Sequence, residues 1–181
     1  MSAPRWLGVT ALGFAASAAL HLATFTPLAR HLRDGYAAIL LVAAFIPLAG
    51  MLVRLRRAGA PSRAWRGLQI YDWRALADLV PPPARFLVFA AAMYVLMNLV
   101  LSLLVIGGAS VGEAGGKHYL KAPGVERTEI TREEYDAHRA VALRLSSGHL
   151  LVLYLVPLVY FVFIDPRLPA RSDLEPPARE C

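Results

Sequence analysis

Four stretches of this chain contain no Asp, Glu, Lys or Arg: residues 6–28, 36–53, 86–110 and 145–164, with lengths of 23, 18, 25 and 20 residues. An α-helix rises about 1.5 Å per residue, so roughly 20 apolar residues cross a hydrocarbon core of ~30 Å. Backbone N–H and C=O groups in lipid have no water to bond, which makes such stretches helices rather than isolated strands. The pattern therefore predicts an all-α fold, an integral membrane bundle of four transmembrane helices. The second stretch is the shortest. Leu55 extends it past Arg54, whose long side chain can snorkel toward the headgroups.

Composition agrees. Hydrophobic residues make up 57% of the chain and charged residues 18%, against ~45–50% and ~25% for soluble domains. A chain this apolar cannot stay solvated and disordered over most of its length. Its single cysteine, Cys181, leaves no intrachain disulfide, no Cys-x-x-Cys pair and no thiolate zinc site. Arg5, the apolar run and Ala16-Ser17-Ala18 resemble a secretory signal with a cleavage site. The apolar character continues to Leu28, however, beyond the ~7–15 residues of a cleavable core. The first stretch is expected to be a retained anchor.

Orientation follows from the bias of basic residues. The connection 54–85 holds seven Arg (54, 56, 57, 63, 66, 74 and 85) against Asp72 and Asp78, whereas 111–144 holds six basic and six acidic residues. The rule puts 54–85 and both termini in the cytoplasm, as expected of a multi-pass protein of a bacterial inner membrane. The net charge of +6 then points to anionic lipid at the 54–85 loop, not to nucleic acid.

The connections carry their own signals. Residues 54–66 read as a flexible basic strip. Within 68–80, Trp73, Leu76, Ala77 and Val80 recur at helical spacing, predicting an amphipathic helix in the headgroups, ended by Pro81-Pro82-Pro83. Beyond the third stretch, Gly107-Gly108 and Gly112…Gly115-Gly116 read as a flexible exit. Residues 117–121 and 125–130 then read as two short strands around Pro123-Gly124. Thr131 and Glu134 have the spacing of a capping box, so a helix starts at Arg132 and runs on toward the fourth span. The layout expected is a four-helix domain over 1–164 with an external hairpin-and-helix element, and a proline-rich tail over 165–181, disordered at its end.

The external segment carries a resemblance. Tyr119-Leu120, Ile130-Thr131-Arg132-Glu133-Glu134-Tyr135, His138-Arg139-Ala140, Arg144 and Ser147-Gly148-His149 are similar to a family of small uncharacterised bacterial membrane proteins. In that family such a segment precedes the last span, and Asp72-Trp73-Arg74-Ala75-Leu76 resembles its cytoplasmic loop. The resemblance covers about a third of the chain. It implies a bacterial inner-membrane protein and brings no activity, cofactor or partner.

Chemistry is sparse. No acidic residue lies in any span, which disfavours an ion-coupled carrier. P-loop, H-E-x-x-H and G-x-S-x-G motifs are absent from the sequence, as are internal repeats. The five histidines are His21, His31, His118, His138 and His149. His21 and His149 come from different spans at similar expected depth. One reading has them ligate a haem iron or a metal, with Arg30, Arg33 and Arg144 beside the propionates. The plainer reading has His21, Asn98, Ser102 and His149 hydrogen-bond one another across the bundle. Thr10, Ser17 and His21 share a helix face, as do Tyr94, Asn98 and Ser102. A second candidate metal set is Glu134, His138 and His118, for which an exposed polar face is the simpler account. Gly13-x-x-x-Ser17 favours close internal helix packing, and Pro47 and Pro157 are expected to kink their helices. The expectation is a scaffold or accessory subunit with protein partners. The alternative is an electron-transfer protein using His21 and His149, and the sequence settles neither cofactor nor enzymatic activity.

Overall fold

A computed structural model describes residues 3–58, 62–65, 68–71, 73–124 and 126–168. Four long helices dominate: α1 (Ala3–Ala23), α2 (Asp34–Arg57), α4 (Pro82–Ile106) and α5 (Arg132–Val159). Each contains a segment long and apolar enough to cross a membrane. Helix α5 is the hub, with α1, α2 and α4 each packed against it. Half of the apolar window of α5 is buried, but only 11% of that of α4, which leaves most of its surface on the outside.

Local chemistry sets the helix ends. Helix α4 begins on the triple proline: Pro81 is its cap and Pro82 its first residue, where a missing N–H costs nothing. It stops at Gly107, whose φ of 59° gives a left-handed cap with its N–H on the Leu103 carbonyl. The helix thus ends four residues before the apolar stretch does. Helix α1 likewise ends at Ala23, short of the expected Leu28. The Thr24 hydroxyl donates to the His21 carbonyl at 2.6 Å, and Pro27 opens a 3-10 turn, Pro27–His31, capped by Thr26. Arg139 of α5 donates to the Leu32 carbonyl and ties this turn to the hub.

Close approach of α1 to α5 uses the small residues expected to provide it. A Cβ on Gly13 would lie 2.1 Å from the Tyr154 ring, and the Tyr154 hydroxyl donates to the Leu40 carbonyl of α2 at 2.9 Å. One buried side chain therefore joins three helices. At the end nearest residue 54, Met51, Leu55, Tyr160, Phe161 and Ile164 form a core, with Trp6 stacked on Phe161 at 6.0 Å. Beyond Pro157, α5 widens into a π turn, Tyr160–Ile164. Asp165 then receives the Arg54 guanidinium at 2.6 Å and the Tyr160 hydroxyl at 3.2 Å. Residues 169–181, and with them the expected disorder, lie outside the described residues.

Two connections differ from the sequence reading. In 54–85, α2 continues through Arg57, and strand β1 (Ser62–Trp65) pairs antiparallel with β2 (Leu68–Tyr71). Only then does the short helix α3 (Trp73–Asp78) follow. The first four residues of the helix expected over 68–80 are strand because Leu-Gln-Ile-Tyr alternates with period 2 and finds a partner strand. Leu76 and Val80 also pack into the core with Leu55 and Ile164, so this element docks on the end of the bundle.

At the other end, β3 (Ser110–Ala114), β4 (Lys117–Lys121) and β5 (Thr128–Ile130) form an antiparallel meander in the order β3-β4-β5. Strand β3 occupies the glycine-rich segment read as a flexible exit. Gly115 and Gly116 take φ of 59° and 74°, the left-handed pair of a two-residue hairpin, so here the glycines make a tight turn. The capping box forms as its spacing predicts: the Glu134 amide donates to the Thr131 hydroxyl at 3.2 Å, and the Thr131 amide to the Glu134 carboxylate at 2.8 Å. The sheet rests on the first turns of α5 through His118, stacked on Tyr135 at 4.6 Å.

Candidate functional site: a polar cluster between α1, α4 and α5

The face of α1 that carries Thr10, Ser17 and His21 is buried at all three positions. Thr10 and Ser17 donate to carbonyls of their own helix, Trp6 at 2.7 Å and Gly13 at 2.8 Å, as short hydroxyl side chains can. The imidazole of His21 instead reaches across the bundle. Its Nδ1 lies 2.9 Å from the Ser147 Oγ of α5, and its Nε2 meets the Tyr94 hydroxyl of α4. Ser147 has one proton, and the Leu143 carbonyl stands 2.7 Å from its oxygen. With that proton on Leu143, Ser147 accepts from Nδ1–H, and the bare Nε2 accepts from Tyr94 O–H. Three helices are then linked by a directed chain of hydrogen bonds.

Around this chain, Asn98 of α4 donates to the Arg144 carbonyl at 3.2 Å. Gly148 permits that approach, since a Cβ there would fall 2.5 Å from the Asn98 amide nitrogen. The Arg144 guanidinium lies 4.0 Å over the Phe25 ring and donates to the Thr24 carbonyl at 3.1 Å. Phe25 in turn meets the His21 ring edge-on at 5.4 Å. Beside the cluster a cleft of about 200 Å³ opens between α4 and α5, walled by Phe25, Met97, Leu101, Val105 and Val141, with Tyr94, Asn98, Ser102 and Arg144 as its polar groups.

His21, Asn98 and Ser102 are brought to this one region. His149 is not. Its Nδ1–H donates to the Leu145 carbonyl of its own helix at 2.8 Å, and its ring faces a separate cleft with Ala37, Ala38 and Leu41 of α2. Consecutive helical residues differ by about 100°, so Ser147 meets α1, Gly148 meets α4 and His149 meets α2. Both ring nitrogens of His21 are taken by Ser147 and Tyr94, which leaves none directed toward His149. Arg30 donates to His31 at 3.1 Å and Arg33 precedes α2, so the three arginines assigned to propionates have separate surroundings. His21 also sits two residues from the end of α1, closer to that end than a span reaching Leu28 implies.

The external set is dispersed too. Glu134 is held in the capping box, His118 stacks on Tyr135, and His138 lines a cleft with Ser110, Val111 and Arg139. Among the described residues no three His, Cys, Asp or Glu side chains converge on a metal-sized site.

Sequence reading missed Ser147 as the partner of His21 and Gly148 as the contact point of α4. Both stand in the Ser147-Gly148-His149 run, where histidine drew the attention. Tyr94 was legible, on one face with Asn98 and Ser102. No protein-family model, curated protein or solved structure matches this chain, so function is read from the geometry alone.

Proposed function

We propose that this chain is a multi-pass membrane protein with a structural role, an accessory subunit or scaffold that holds its β-sheet end at a fixed position over a bilayer for protein partners. On this reading the protein belongs to a bacterial inner membrane. Both termini and the 54–85 loop face the cytoplasm, with the arginines of that loop on anionic lipid. The observation that carries the reading is the use of the polar groups between the helices. His21, Ser147, Tyr94 and Asn98 are engaged with one another or with backbone across three helices. A latch of this kind holds helices in register. The continuous helix from Thr131 into the bundle supports the same role, because it couples the sheet rigidly to the hub.

The test is site-specific photo-crosslinking in native membranes, with the probe at Tyr119 or Glu129 of the sheet and, for comparison, at Leu104 on the outer side of α4. Discrete protein adducts from the sheet positions are expected. A detergent-purified protein carrying a Soret band in near-stoichiometric amount would instead return the electron-transfer role.

A further inference from the structure

Arg144 is the one member of the cluster whose needs the fold does not meet. Its Nε–H is buried and bonds to nothing among the described residues. Its other contacts are a backbone carbonyl and the Phe25 ring, neither of which cancels a charge. The ion pairs Arg54–Asp165, Arg85–Asp78, Lys117–Glu129 and Arg132–Asp136 all leave Arg144 out. None of the four apolar stretches holds an Asp or Glu to pair with it. A guanidinium is always charged, and an uncompensated charge at the edge of a low-dielectric bundle is costly. No carboxylate among the described residues supplies its counter-anion.

The surroundings define that anion. Arg144 lies at the wall of the α4/α5 cleft, and the Ser102 hydroxyl lines the same cleft. Two sets of donors thus face one space, the arrangement that suits a tetrahedral or planar oxyanion. Beyond these and the polar Tyr94 and Asn98, the walls are apolar, among them Met97, Leu101 and Val105, and these three are exposed on the outer side of α4. A free inorganic anion gains nothing from such walls, whereas an acyl chain does. We infer that the α4/α5 cleft binds an acyl-chain amphiphile, with its oxyanion head on Arg144 and Ser102 and its chain along Met97, Leu101 and Val105. The inference rests on the four helices lying in a bilayer, which alkaline extraction of the membrane fraction tests separately.

The experiment is native mass spectrometry of the full chain released from phosphatidylcholine nanodiscs containing phosphatidylglycerol, oleate or neither. One retained phosphatidylglycerol per chain is expected, falling by about tenfold or more in Arg144→Gln, as fits loss of a charge-assisted contact. Arg30→Gln, which removes an exposed cation at the same end, should leave retention unchanged. Retained oleate with the same dependence on Arg144 supports the same site with a carboxylate head in place of a phosphodiester. Should Arg144→Gln fail to fold, Leu101→Trp fills the cleft from α4 while sparing the guanidinium, and retention should be lost there as well. Retention equal in wild type and both variants, or no anionic amphiphile held by the wild type, overturns the inference.

Discussion

The His21 imidazole and the Ser147 hydroxyl, 126 residues apart in the chain, stand 2.9 Å from each other at the point where α1 crosses the hub helix. Both are buried, so removing Ser147 leaves His21 Nδ1 unpaired, while removing His21 leaves Ser147 only its bonds to backbone carbonyls. Interhelical hydrogen bonds in apolar surroundings contribute about 0.6–2 kcal/mol each. A His21→Ala and Ser147→Ala double-mutant cycle, followed by unfolding in mixed micelles, should give a coupling energy in that range. Additive effects of the two substitutions would show that the contact does not hold the helices together.

Gly148 is expected to be far less tolerant than Gly8. A Cβ at 148 meets the Asn98 amide nitrogen at 2.5 Å, while one at 8 meets open space. Gly148→Ala should therefore destabilise by about 1–3 kcal/mol through forced separation of α4 from α5. Gly8→Ala should be neutral or stabilising by up to ~1 kcal/mol. Pairing Gly148→Ala with Asn98→Ala should recover part of the loss, and thermal unfolding in detergent ranks the four variants.

Thr131→Ala removes the hydroxyl that accepts the Glu134 amide and donates to the Glu134 carboxylate, leaving that carboxylate only its bond from the residue-131 amide. Loss of such a cap costs about 0.5–2 kcal/mol. The effect should be local: amide hydrogen exchange accelerates over the first turn of α5 and at the β5 junction, and stays unchanged at Leu150. A uniform rise along α5 would mean that the cap governs the whole bundle.

The β-sheet end should weaken in strong alkali. Lys117 donates to Glu129 at 2.8 Å, and this hydrogen bond with the carboxylate charge raises the Lys117 pKa above its ordinary value. A raised folded-state pKa means that the pair contributes fully below the ordinary lysine pKa. The contribution is lost as pH climbs through the raised value. Both groups are exposed, so the step is small. It should appear as a titration step in the NMR chemical shifts of β4 and β5 next to the pair, and Lys117→Met should remove that step without unfolding the sheet.

Much of this arrangement was legible residue by residue. The four helices follow from runs without charge, since lipid or a packed interior admits no other backbone solution for such lengths. The start of α5 follows from Thr131 and Glu134, because capping is settled within four residues. The buried faces of α1 and α4 follow from spacing, since 4, 7 and 8 residues return to the same side of a helix. Less legible were segments whose state depends on a partner. Leu68–Tyr71 is a strand because Ser62–Trp65 lies beside it, and Ser110–Ala114 is one because Gly115-Gly116 folds it back onto Lys117–Lys121.

What the chain alone determined, then, was where the four long helices lie and which of their faces are polar. The tertiary structure decided which face meets which helix. Ser147 and His149 are two residues apart on α5, and nothing local chooses between them as the partner of His21. Gly13 admitting the Tyr154 ring, and Gly148 admitting Asn98, fix the rotation of α5 against α1 and α4. That rotation puts Ser147 on His21 and turns His149 toward α2, because close packing at small residues allows one angular setting and excludes its neighbours.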